Sequence, residues 1–316
     1  MASISKITTE SELATDKDRR VVRCSRCIWF DAVAPLVILP CSVFVLAPAA
    51  WPRWVFMWSI AFAMYVGCKW LSWRPTPVRG VPIWRHAGYL LAWPGMDART
   101  FLTTSKASVT QCSFYEWFFA LAKFGTGVFL FWRVARFVSP QYPICAGWIG
   151  MIGLVMMLHF GLFHLLSCGW RTVGVEARPL MKWPLISASI SEFWGVRWNM
   201  AFRDLTHRFL FRPLLLRIGA WQTVLVVFLF SGLVHDLVIS IPARGGYGGP
   251  TAFFLLQGLA ILMSRSDIGS RIGLRSGISG WGFAMIILVP PAFVLFQPIF
   301  IIAVVVPFMQ AMGAVG

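Results

Sequence analysis

Acidic side chains are scarce in this sequence, with 12 Asp and Glu against 28 Lys and Arg in 316 residues. Charge of both signs together reaches 13%, where soluble domains carry about 25%. Apolar residues, 58% of the chain, fill the difference. That deficit excludes a soluble domain, and the runs of about 20 apolar residues behind it are long enough to cross a bilayer. The expected fold is all-α: a polytopic transmembrane bundle of about seven to nine membrane segments, some short or re-entrant.

Other absences narrow the chemistry. The seven Asp are isolated, which excludes the Asp-rich magnesium motifs of intramembrane prenyltransferases. There is no H-E-x-x-H, and His159 and His164 are five apart, off the i,i+4 face of a zinc pair. G-x-S-x-G is missing. The glycine cluster R-G-G-Y-G-G-P (244–250) lacks the Lys-Ser/Thr of a phosphate loop and reads as a flexible turn. No zinc-finger spacing or RNP pattern supports nucleic-acid binding, and no residue set suggests a metal or a resident cofactor. The seven Cys are scattered and show no disulfide framework. Cys24 and Cys27 form a lone C-x-x-C before the first span, a juxtamembrane place that also permits acylation. No internal repeat is visible, which argues against an inverted-repeat transporter.

Residues 1–30 are too long and too acidic for a signal-peptide n-region. They are expected to form a cytoplasmic arm before one membrane-embedded domain, 31–316. Apolar runs follow near 32–49, 54–71, 117–135, 144–167, 219–241 and 250–264. A longer run, 281–312, is divided by Pro290, Pro291, Pro298 and Pro307 into an expected two segments. The net charge of +16 lies between these runs, where basic residues set orientation and meet anionic lipid. With the N-terminus inside, segments 1–30, 69–106, 171–217 and 265–275 place 23 Lys and Arg on the cytoplasmic side. Arg53, Arg133, Arg136 and Arg244 fall on the other side, and Lys123 lies mid-span. Two cytoplasmic connections, 72–113 and 168–218, are therefore long. The first holds L-L-A-W-P-G-M-D (90–97), apolar yet broken by Pro and Gly, as in a half-inserted element.

The second connection holds the polar residues most in need of explanation. Residues 187–213 read as an amphipathic surface helix entered after Ser189 or Ser191. At helical spacing Phe193, Trp194, Trp198 and Phe202 share one face, and Arg203, His207 and Arg208 turn to another. Glu192 and Asn199 on the aromatic side are not needed by an interfacial belt. Further on, His235 stands inside an apolar span, where an ionisable residue is by default a functional candidate. Ser231 and Gly232, one turn earlier, leave room for a ligand or a neighbouring helix. Asp236 points about 100° away from His235 on a helix and is not presumed to orient it.

F-W-G-V-R-W-N (193–199) followed by S-G-L-V-H-D (231–236) resembles the signature of the wax-synthase-like branch of the membrane-bound O-acyltransferases. W-P-G-M-D (93–97), R-P-L-M-K-W-P-L (178–185) and the Pro-interrupted tail agree with it, so the resemblance covers roughly 85–312. Asp236 stands where many relatives carry Glu. The resemblance implies ester formation between acyl-CoA, as co-substrate, and a lipid alcohol, with a wax ester as the leading product. Esterification of a sterol or specialised metabolite is the alternative within the family. A proton-coupled transporter or lipid-binding membrane protein is the alternative outside it. His235 would be the general base, since imidazole titrates near the working pH. Asn199 would orient the acyl donor or stabilise developing charge. Trp194, Trp198, Ser231 and Asp236 would face substrate. The arginines Arg197, Arg203, Arg208 and Arg212, with Arg217, lie on the cytoplasmic side, where CoA phosphates would arrive and bidentate Arg contacts suit them. Membrane lipids are the other expected partners, and the sequence leaves the oligomeric state open.

Overall fold

A computed structural model describes residues 30–103, 109–138 and 140–316. The arm expected at 1–30 and the Cys24–Cys27 pair lie almost entirely outside the described residues. Every regular element among the described residues is helical. The chain is an all-α polytopic bundle. In chain order the helices are α1 (Phe30–Leu46), α2 (Arg53–Trp73), α3 (Ile83–Ala92), α4 (Ala98–Thr103), α5 (Phe114–Phe137) and α6 (Pro143–Thr172). There follow α7 (190–197), α8 (200–218), α9 (Ala220–Ala243), α10 (Gly249–Arg265), α11 (Asp267–Arg271), α12 (Gly277–Leu295) and α13 (Pro298–Ala311). Helices α2, α5, α6, α9 and α12 are long and apolar enough to cross a membrane, and α1 and α13 are shorter apolar helices. With α10 they stand within the seven to nine segments expected. The 281–312 run does divide in two, at the turn Phe296–Gln297 between α12 and α13.

Local chemistry starts and stops these helices. Ser113 accepts the Glu116 N–H at 3.2 Å and opens α5, while Pro143, Pro250 and Pro298 occupy first turns, where their missing N–H is harmless. Wide, i→i+5 turns interrupt five helices at Leu130–Val134, Met156–Leu162, Phe193–Arg197, His207–Phe211 and Ile301–Val305. Such bulges occur often at functional sites. Helices α9 and α10 approach closely at Gly232, where a Cβ would lie 2.5 Å from the Thr251 Cα. Gly232 therefore makes room for a neighbouring helix rather than a ligand. Ile83, Leu91, Phe114, Phe137, Ile278 and Ile286 are strongly exposed, a surface suited to lipid rather than water.

The W-P-G-M stretch after α3 is buried and non-helical. Lys69 Nζ, itself 2% exposed, donates to the Gly95 carbonyl at 2.8 Å, and Tyr65 Oη donates to the Trp93 carbonyl at 3.2 Å. Irregular backbone at membrane depth survives only where protein groups satisfy it in this way. A disulfide joins Cys112 to Cys168 across 56 residues, a pairing that the spacing of the cysteines did not reveal. Three buried clusters centre on Phe131–Phe254–Ile301, on Tyr89–Phe101–Leu205 and on Ile190–Phe193–Ile261. Residues of all three bound one internal cavity.

Candidate functional site

The aromatic-rich motif does not lie on one helix. Ser189 caps α7, accepting the Glu192 N–H at 3.1 Å, and Glu192 returns a carboxylate oxygen to the Ala188 N–H at 2.7 Å. This reciprocal capping starts the helix at the first of the two expected positions. The helix then stops: Trp198 is extended, and Asn199 takes a left-handed conformation with φ 43°. A new helix starts at Met200, with Asn199 Oδ1 accepting the Phe202 N–H at 3.2 Å. The amphipathic helix expected over 187–213 is thus broken at Asn199, a residue type that tolerates this conformation and caps well. The 178–185 motif braces the break. Leu180 accepts the Met200 N–H at 3.0 Å, and Lys182 donates to the Arg197 carbonyl at 2.8 Å.

Above the break lies a cavity of about 610 Å³, within the usual size of a ligand pocket. His235, Ser231, Asn199, Trp194, Trp198 and Arg203 all line it, so residues far apart in sequence share one space. A run of ring contacts lies in and behind its wall. His235 lies 4.3 Å from Phe254, Phe254 5.6 Å from Trp194, Phe193 5.5 Å from Trp198, and Trp198 6.1 Å from Phe160. Trp194 Nε1 donates to the buried Gln257 at 3.4 Å, so the indole is satisfied and fixed.

His235 sits on α9, eight residues before its Ala243 end. Its Nδ1 lies 2.6 Å from the Ser231 carbonyl oxygen. A carbonyl only accepts, so Nδ1 carries the proton and Nε2 is left with a free lone pair. This is the tautomer a base requires. Asn199 has committed its Oδ1 to the cap, and its amide NH₂ makes no hydrogen bond among the described residues. That group is a donor in reserve at the cavity wall. Ser231 bonds its own helix at the Val227 carbonyl, 2.9 Å away.

Other expected contact residues serve the frame. Asp236 does not line the cavity. Its carboxylate accepts from Ser240 Oγ at 2.7 Å, the Gly248 N–H at 2.9 Å, the Thr251 N–H at 3.1 Å and the Thr251 hydroxyl. It caps α10 and pins the 244–248 turn to α9, as an anion at a helix N-terminus should. Arg197 pairs with Glu192 at 2.6 Å and donates to the Lys182 carbonyl at 3.1 Å. Burial pushes the Glu192 carboxyl up, but the Arg197 hydrogen bond, the Ala188 N–H and the Arg197 charge outweigh it and hold the group below the ordinary carboxylate range. Arg208 reaches Thr76 at 3.3 Å and lies over Phe209, and neither it nor Arg212 lines the cavity. Arg203 is exposed, pairs with Asp204 at 2.6 Å and does line it.

Two histidines and an arginine on the cavity wall were not assigned to the site from the sequence. Arg265 lines this cavity and also a smaller one of about 430 Å³, shared with Ser189, Ser191, Ser264 and Arg275. His207 lines it too, and its imidazole is lowered by partial burial and by the charges of Arg203 and Arg212. His159 lines it from α6. Only its place as an ionisable residue in an apolar run could have marked it. A second polar cluster stands apart. Lys123 Nζ meets His164 at 2.8 Å, His164 meets Glu116 at 3.2 Å, and Glu116 also pairs with Arg171. These charges satisfy one another, which accounts for Lys123 mid-span.

Residues 177–256 match the model of the membrane bound O-acyl transferase family. The chain is similar to that family's wax-synthase-like branch. The matched quarter of the chain holds Trp194, Trp198, Asn199, Arg203, Ser231 and His235, and so most of the expected site. The long-chain-alcohol O-fatty-acyltransferase of Simmondsia chinensis is 26% identical over 130 residues, 36% of this chain and 37% of that protein. The probable long-chain-alcohol O-fatty-acyltransferase 2 of Arabidopsis thaliana is 31% identical over 96 residues, 28% of each. The chain therefore aligns with well under half the length of either acyltransferase relative.

Proposed function

We propose that this membrane protein is an acyl-CoA-dependent O-acyltransferase that joins a fatty acyl group to a long-chain alcohol, giving a wax ester. One observation carries the reading: a single cavity inside the bundle brings a base-competent His235, the unused amide NH₂ of Asn199 and the arginines Arg203 and Arg265 together. The relatives' names, as long-chain-alcohol acyltransferases, support the choice of acceptor. His235 Nε2 takes the hydroxyl proton as the alcohol oxygen attacks the thioester carbonyl. The Asn199 NH₂ faces the oxygen on which negative charge develops. Collapse breaks the C–S bond, and the His235 imidazolium returns its proton to the departing CoA sulfur. The apolar walls keep water from the thioester.

With the N-terminus cytoplasmic, Arg203, Arg265 and Arg275 lie on the side from which acyl-CoA comes, and the adjoining smaller cavity gives its phosphates room. Arg197, Arg208 and Asp236 act as framework in this reading. Purified protein given labelled acyl-CoA and long-chain alcohols should form ester, and His235→Ala should lose roughly 10²–10⁴-fold in kcat, the range for a general base. A folded His235→Ala protein with near wild-type turnover would end the proposal. For orientation, single cysteines at positions 175 and 246 should label from opposite faces of oriented vesicles. Labelling from one face would remove the argument for where CoA enters.

A further inference from the structure

His159, like His207, is a polar cavity residue for which the reaction above has no use. It stands in the wide turn Met156–Leu162 of α6, and its neighbour Phe160 touches Trp198. Its ring meets Phe163 edge-on at 5.2 Å. Its Nδ1 is buried without a hydrogen-bond partner and closed even to a water, so Nε2, which bonds no described residue, is the nitrogen left to face the cavity. An orphaned buried polar atom is costly and calls for an explanation. Here the ring lines a cavity built to take a guest, and the wide turn is the local distortion that sets the ring on that wall.

We propose that His159 is the second hydrogen-bond partner of the acceptor hydroxyl, and so a specificity-determining residue for alcohols. The inference rests on the acyltransferase reading and names a residue for its acceptor half. A long-chain alcohol has one polar atom to bring into an apolar cavity, and that hydroxyl both donates and accepts. His235 Nε2 accepts its proton. His159, as a neutral imidazole N–H, donates to one of its two oxygen lone pairs, and the other is free to attack. Two imidazoles lining one cavity thus share the oxygen, and the His159 Nε2 gains the partner that no described residue supplies. A thioester carbonyl fits less well, because it only accepts, and the Asn199 NH₂ already offers it a donor.

The test compares wild type with His159→Phe, which keeps ring volume, and His159→Asn, which restores a donor. In His159→Phe the KM for hexadecan-1-ol should rise about ten- to hundredfold, each tenfold step being about 1.4 kcal/mol. The KM for acyl-CoA should stay put, and His159→Asn should recover part of the loss. Preference for the alcohol over hexadecane-1-thiol, whose sulfur accepts weakly, should shrink in His159→Phe, an effect that loss of packing alone would not produce. Unchanged alcohol KM, or equal rises for both substrates, would overturn the inference. Direct binding of radiolabelled hexadecan-1-ol keeps it separate from the reading it rests on. If wild type makes no ester, the acyltransferase reading fails, while weaker alcohol binding by His159→Phe would still support the contact and equal binding would refute it. Should His159→Phe not fold, the same comparison of binding and KM is made with His159→Gln against His159→Leu.

Discussion

At the scale of single residues, the proposed chemistry rests on which lone pairs and donors are already spent. His235 was legible in the sequence because an ionisable ring in an apolar span is conspicuous. Its tautomer was not, since that depends on a carbonyl one turn back. Asn199 was legible as a polar residue in a greasy motif, yet its left-handed backbone and its cap to Phe202 belong to geometry. Glu192 gives a prediction at this scale. Its carboxyl is held low by Arg197 and Ala188 against the upward push of burial. A carboxyl lowered in the folded state contributes stability that is fully present above its unfolded value of about 4.3 and fades as pH falls through the folded value. Thermal melts in detergent should therefore lose Tm on acidification below that point, with a shallower loss in Glu192→Gln. At neutral pH that variant should be about 1–2 kcal/mol less stable, the worth of a charge-assisted bond. Parallel pH profiles for the two proteins would rule Glu192 out as the titrating group.

At the scale of elements, the sequence pattern carried the long spans and the divided C-terminal run, because apolar length alone sets them. It missed the break at 198–199, since aromatic spacing continued through a point where backbone bonds to 180–182 redirect the chain. It missed the Cys112–Cys168 bridge and the place of Arg265 for a related reason: both depend on which helices pack side by side. Asp236 belongs to this scale as well, because two of its four bonds join α9 to α10 and a third holds the turn between them. Asp236→Asn sets a side-chain NH₂ against N–H groups that need an acceptor. We expect about 1–3 kcal/mol of lost stability, the cost of leaving such donors unmet. Amide exchange should quicken around 246–251, with the KM values in the proposed reaction nearly unchanged. A selective rise in the KM for one substrate would instead put Asp236 in contact with that substrate.

At the scale of the whole molecule, the all-α bundle of apolar spans was readable from composition and from the lengths of the apolar runs. The cavity was not, because it is made of space left between three clusters. That space has a capacity. At roughly the 30 Å³ that a water occupies in the liquid for each methylene-sized group, about 610 Å³ holds on the order of 20 such groups. Two substrates with tails of sixteen carbons bring more than that. On the proposed reaction, we expect one tail to be measured by the protein while the other trails into the bilayer, where an added carbon meets only lipid. Varying the two chain lengths independently should give a sharp optimum for one substrate and a plateau for the other. Sharp optima for both would mean that the cavity opens well beyond its present size. In the proposed reaction the finished ester would then already be partly in the membrane when it forms, so that its release is sideways movement into lipid rather than passage through water.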